Sequence, residues 1–154
     1  MKICCFAGHA NLPDKEEVKI KLKKEIINLI ENEKVTTFYS GGKGSFDWLC
    51  AETLKELKNE YQYIKSYLML AYMPKEKDSP ESILYEEMFD KTVYPDIESV
   101  PRRFAILKRN KCMVDKSDFL ISYVKHDLGS GAYKTLEYAE KRKNIKIINI
   151  AKEV

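Results

Sequence analysis

Nowhere in the 154 residues is there a run of about 18 apolar residues, the length a membrane-crossing helix requires. The opening Met1-Lys2-Ile3-Cys4-Cys5-Phe6-Ala7-Gly8-His9 has too short an apolar stretch for a secretory signal. The expectation is a cytoplasmic protein with no membrane partner. A strong charge of one sign is also missing: 27 Lys and Arg face 24 Asp and Glu, leaving a net charge of +3. Most basic residues therefore have acidic neighbours on solvated faces, which weakens the case for a nucleic-acid partner. The four cysteines, Cys4, Cys5, Cys50 and Cys112, form no C-x-x-C pair. Adjacent strand residues such as Cys4 and Cys5 point to opposite faces, so they do not converge on a metal, and all four read as reduced core thiols. No metal and no cofactor is expected. Proline and glycine are scarce at five and six residues, and the chain is 44% hydrophobic, which argues against disorder.

What remains is a chain of one-domain length, residues 1–154, able to bury roughly two-thirds of its unfolded surface. Short continuous apolar runs alternate with helical periodicities. Ile3 to Ala7, Val35 to Tyr39, Ile64 to Ala71, Phe119 to Val124 and Ile145 to Ile150 read as strands. Val18, Leu22, Ile26, Leu29 and Ile30 recur at helical spacing behind Pro13 and Asp14, and similar patterns run from Trp48 to Leu57, from Pro101 to Val114 and onward from Gly131. An irregular insert at about 73–100, punctuated by Pro74, Pro80 and Pro95, holds a short helix around Ser82 to Phe89, with Ser79 or Ser82 able to cap it. Continuous apolar strands between helices indicate an α/β, Rossmann-like open sheet, mainly parallel, with helices on both faces.

In such a sheet ligands bind beyond the carboxyl ends of the strands, where the strand order reverses. Three of the six glycines crowd into Ser40-Gly41-Gly42-Lys43-Gly44 at one such exit, and Gly129-Ser130-Gly131 occupies another. Glycine permits close backbone approach and positive φ, and a helix N-terminus offers unpaired N–H groups, so the two loops suit a phosphorylated ligand. A single loop of this kind is equally explained as a tight strand-to-helix turn, and two of them in one parallel sheet weaken that explanation. The common fingerprints fail here. Gly44 follows Gly42-Lys43 where a P-loop needs Ser or Thr, and Asp47 stands where the third glycine of G-x-G-x-x-G belongs. Asp47 favours the positive end of its helix and would repel a phosphate bound there, so its roles are structural capping or acceptance of N–H or ribose hydroxyl hydrogen bonds.

Gly41-Gly42-Lys43-Gly44-Ser45-Phe46-Asp47, then Arg109-Asn110-Lys111-Cys112-Met113, then Gly129-Ser130-Gly131-Ala132-Tyr133-Lys134-Thr135 resemble the ordered motifs of the SLOG superfamily. That group includes the Rossmann domain of DNA-processing protein A, the lonely guy phosphoribohydrolases and YpsA-like proteins. The opening Cys4-Cys5-Phe6-Ala7-Gly8-His9-Ala10 resembles the YpsA-like branch. The resemblance implies a nucleotide or nucleotide-derived ligand on the rim, with Gly41, Gly42, Gly44, Gly129, Gly131 and Thr135 around phosphate and Arg109 at the ligand. Gly8, His9, Lys43, Asp47, Asn110 and Ser130 complete the expected binding set. Read alone, Arg109 is either a fork for phosphate or carboxylate or a solvated helix arginine. The resemblance also implies a homodimer.

Three functions follow. The first is a sensor, carrier or sequestering protein for the nucleotide-derived molecule. An enzyme such as a nucleoside monophosphate phosphoribohydrolase is the alternative, with Arg109, Glu137, His9 and His126 as catalytic candidates. Against it, the lonely guy motif P-G-G-x-G-T-x-x-E is incomplete: Tyr138 follows Thr135 where glutamate belongs, and Glu137 sits one residue early, turned by about 100 degrees on a helix. Single-stranded DNA binding is the third reading, resting on the cluster Arg102, Arg103, Lys108, Arg109 and Lys111.

Overall fold

A computed structural model describes residues 2–72, 79–95, 97, 99–125 and 130–151. Its elements run β1 (Lys2–Gly8), α1 (Lys15–Asn32), β2 (Val35–Ser40), α2 (Gly44–Leu57), β3 (Lys65–Met69), α3 (Pro80–Met88), β4 (Lys91–Val93), α4 (Arg102–Lys116), β5 (Phe119–Tyr123), α5 (Gly131–Glu140) and β6 (Lys146–Asn149). The six strands form one sheet in the order β4-β3-β2-β1-β5-β6, and every pairing is parallel. The α/β, Rossmann-like class expected from the apolar runs is the observed one.

Alternation along the strands divides the core in two. Cys4 and Phe6 of β1 face one side with Phe38 of β2 and Ile121 of β5, where the stripe Val18, Leu22, Ile26, Leu29 and Ile30 of α1 and Phe46, Leu49 and Leu54 of α2 close over them. Cys5 and Ala7 face the other side with Leu120 and Val124, under Met113 and Val114 of α4 and Leu136 and Ala139 of α5. Burial pushes the Cys5 thiol up to about 12, as for an inert core thiol. Asp14 caps α1 by accepting from the Glu17 N–H, and Ser79 caps α3 in the same way from Ser82.

The segment read as an irregular insert contains both α3 and a short strand, β4, whose Lys91, Thr92 and Val93 pair with Tyr67, Leu68 and Met69. A three-residue edge strand carries too few apolar positions to stand out in a sequence, and its neighbour supplies the order. Asp90 fixes its entry: the Ser66 N–H donates to its carboxylate at 2.8 Å, and its own N–H donates to the Ser66 carbonyl. Helix α2 also begins at Gly44, one turn before the periodicity at Trp48.

After β4 the chain returns over β1 and adds β5 on the far side, so the order reverses between β1 and β5. Among the described residues no helix is long and apolar enough to cross a membrane.

Candidate functional site

A cavity of about 520 Å³ opens at the carboxyl ends of the strands where that reversal occurs. Its walls come from the β1 exit (Gly8, His9, Ala10, Asn11), from Lys43 and Asp47, from one face of α4 (Ile106, Arg109, Asn110) and from the start of α5 (Ser130, Gly131, Ala132). Four segments far apart in sequence are thus brought together by the parallel topology alone.

Arg109 is at the centre of the construction. Only 1% exposed, it is the largest fully buried side chain described, which replaces the picture of a solvated helix arginine. Its Nη1 donates to the carbonyls of Gly41, at 2.9 Å, and Met69, at 2.8 Å, and its Nε donates to Asn110 Oδ1 at 2.8 Å. The guanidinium thereby ties α4 to the ends of β2 and β3. Nη2 makes no hydrogen bond among the described residues. Asn110 passes the connection on, its Nδ2 donating to Thr135 Oγ1, which in turn donates to the Gly131 carbonyl. Arg109, Asn110 and Thr135 therefore form one chain of hydrogen bonds from the glycine loop to the first turn of α5.

Each glycine of the loop is packed against protein at the position a Cβ would take. A Cβ on Gly41 would lie 2.8 Å from the Arg109 guanidinium carbon and 3.1 Å from Asp47 Oδ2. Gly42, at φ +66, would meet Leu68, and Gly44, at φ +89, would meet the Ala10 backbone at 2.7 Å. The Ser45 N–H donates to the Ala10 carbonyl at 2.8 Å, clasping the β1 and β2 exits together. Two of the loop's own donors are also occupied: Gly42 N–H by Ser40 Oγ, and Lys43 N–H by Asp47 Oδ2 at 3.0 Å. Asp47 thus fills with its own carboxylate the place an anion would take at the N-terminus of α2. That geometry accounts for the acidic residue in the first turn.

Burial pushes the Asp47 carboxyl up to about 6, against the pull of the Lys43 N–H and the Arg109 guanidinium. The folded protein therefore holds this proton more tightly than the unfolded chain, whose aspartates titrate near about 3.9. The group's contribution to stability is complete below the unfolded value and is lost as pH rises through about 6, a change on the order of 3 kcal/mol. Asp47→Asn is accordingly expected to be more stable than the parent at pH 7 and to match it near pH 4. Urea unfolding of both proteins across that range checks it, and parallel pH profiles would exclude the raised carboxyl.

The α5 end is different. Ser130 caps the helix, accepting from the Tyr133 N–H at 3.0 Å, and its carbonyl accepts from Lys134. The N–H groups of Gly131 and Ala132 make no hydrogen bond among the described residues, and both residues line the cavity. A Cβ on Gly131 would have nothing within 4 Å, in contrast to the packed glycines of the other loop.

The remaining expected residues fall as follows. Gly8 lines the cavity, and its missing Cβ makes room for the Phe46 ring, 2.3 Å from where that carbon would be. His9 lines the cavity as well, stands edge-on to Tyr123, and accepts the Lys125 N–H on Nε2 at 2.9 Å. Nε2 is thereby used, leaving Nδ1 as the nitrogen available to a ligand. Lys43 is exposed at the cavity edge, its ammonium 5.5 Å from the Tyr72 ring centroid. Glu137 is exposed on α5 and is not part of the cavity wall. Gly129 and His126 lie outside the described residues. Ile106 and Ala132 line the cavity without having been expected. Ile106 was within reach of the sequence, since it precedes Arg109 by one helical turn on the same face.

The profile of the YspA SLOG family (YpsA) matches residues 3–152, nearly the whole chain. The protein belongs to the SLOG family. A crystal structure of TM1055, a structural-genomics target, resembles it with a TM-score of 0.57 and 13% identity, over 90% of this chain and 68% of that one. At that identity the likeness concerns the fold alone. No curated protein sequence matches the chain. Membership in the SLOG family suggests a ligand related to nucleotides, bound or processed.

Proposed function

We propose that this SLOG protein binds a nucleotide or nucleotide-derived small molecule by its phosphate, acting as a sensor, carrier or sequestering protein. The observation that carries the reading is the first turn of α5, where Ser130, Gly131 and Ala132 line a cavity at the strand-order reversal and the N–H groups of Gly131 and Ala132 make no hydrogen bond among the described residues. Arg109 and Lys43, both cationic, are among the residues lining the same cavity. The phosphate belongs at α5 rather than at the glycine loop, because the Asp47 carboxylate occupies the loop's donor.

Mass spectrometry of small molecules released from the purified protein tests this directly. A phosphorylated, nucleotide-related compound is the expected result. A protein that releases none, and whose melting temperature does not respond to nucleoside monophosphates, would not support it.

Asp47 supports a second, hydrolytic reading. Its carboxyl is buried at the cavity wall, Oδ2 is held by the Lys43 N–H, and its elevated pKa of about 6 suits proton transfer near neutral pH. In this reading it would supply the acid that the exposed Glu137 does not bring to the cavity. Release of free base from a nucleoside monophosphate, abolished in Asp47→Asn, is its signature.

A further inference from the structure

A second concavity, of about 430 Å³, lies between the glycine loop and α3. Gly42, Lys43 and Gly44 form one wall, Trp48 and Tyr85 the floor, and Glu81 and Leu84 the rim. Lys43 borders both spaces, so they adjoin across a single side chain.

The chemistry of the two differs. The main cavity offers helix N–H groups and cationic side chains, whereas the second is floored by aromatic carbon. The Trp48 indole is half-buried and backed by the Tyr85 ring, with centroids 6.2 Å apart and planes inclined by 20°, and by Phe89 at 6.2 Å. Packing against two rings holds the indole, so that little entropy is lost when something stacks on it. Leu84 remains 42% exposed beside it, an apolar side chain turned to the concavity. Glu81 places a carboxylate on the rim, accepting a hydrogen bond from the Tyr85 hydroxyl. Its negative charge disfavours a second phosphate there and suits a neutral, flat group carrying hydrogen-bond donors.

We propose that this groove is a subsite for the planar heterocycle of the ligand, with Trp48 as its stacking surface and Lys43 at the junction with the phosphate cavity. The assignment rests on the nucleotide reading above and extends it: the preferred ligand is a nucleoside phosphate with its base intact, rather than a sugar phosphate.

Trp48 is the only tryptophan in the chain, so its fluorescence reports on the groove. Titration with the four common nucleoside monophosphates, their nucleosides and ribose 5-phosphate separates the parts. At least one monophosphate is expected to quench Trp48 and to bind about tenfold more tightly than ribose 5-phosphate, the scale of one base–aromatic stack. Calorimetry on Trp48→Ala should show that advantage lost with ribose 5-phosphate affinity unchanged, and Trp48→Phe should restore most of it. Equal affinities for nucleotide and sugar phosphate, or a Trp48→Ala protein that binds the nucleotide as the parent does, would overturn the subsite. A nucleoside that binds and quenches as strongly as its monophosphate, with no affinity for ribose 5-phosphate, would instead refute the phosphate site and leave the groove standing. Binding of none of these compounds overturns both.

Discussion

Gly131→Val is expected to lower affinity for a phosphorylated ligand by about 100-fold or more while leaving the fold intact. The size follows from blocking two charge-assisted hydrogen bonds, each worth about 1.5 to 3 kcal/mol. The fold survives because a Cβ at this position meets nothing within 4 Å, and Gly131 is one of the residues that line the cavity. Valine at the first helical position also costs no more backbone entropy than glycine. Calorimetric titration with the best-binding monophosphate, next to an unfolding curve, checks both halves. An unchanged affinity in a folded Gly131→Val protein would move the phosphate away from α5. The same substitution at Gly42 or Gly44 would be uninformative, because positive φ and contact with Leu68 or Ala10 make it a folding defect first.

Arg109→Leu should be the most damaging single change to stability, by about 3 kcal/mol or more. It abandons the carbonyls of Gly41 and Met69 inside the protein and frees Asn110 from its contact with Nε. Each buried acceptor left alone costs about 1 to 3 kcal/mol. Arg109→Lys should recover only part of the loss, since a single ammonium lacks the planar fork that spans two carbonyls and an amide. Urea midpoints for the three proteins give the comparison. A leucine variant as stable as the parent would mean that the guanidinium serves the ligand alone and holds nothing together.

These two residues show how differently the site could be seen in the sequence. Gly131 and Arg109 both stand in motifs that resemble the SLOG set, yet their surroundings are opposite: one faces open space, the other is sealed among backbone carbonyls. A glycine-rich string carries no sign of what its backbone touches. Gly41, Gly42, Gly44 and Gly131 look alike as letters, and only their surroundings, Arg109, Leu68, Ala10 and open space, separate packing glycines from the one that lines the cavity. Asp47 is the clearest case. Its position in the first turn of α2 was legible as a helix-dipole effect and N–H acceptance was one of its open roles, but that the partner is the Lys43 N–H depends on the loop curling back, with Gly42 and Gly44 at positive φ. The short strand β4 was hidden for another reason, since its place is assured by Asp90 and β3 rather than by any periodicity of its own.

By itself the amino-acid order determined the α/β class, the strand and helix sequence apart from β4, and the family, because local hydrophobic periodicity and short ordered motifs are properties of neighbouring residues. Tertiary structure alone decided which donors remain open. That Arg109 Nη1 is committed to the carbonyls of Gly41 and Met69, 68 and 40 residues away, and that the first turn of α5 lines a cavity with the β1 exit, are facts about distant segments brought to one end of a parallel sheet. Hydrogen-bonding capacity is finite, so what a site can offer a ligand is only what the fold has not already used.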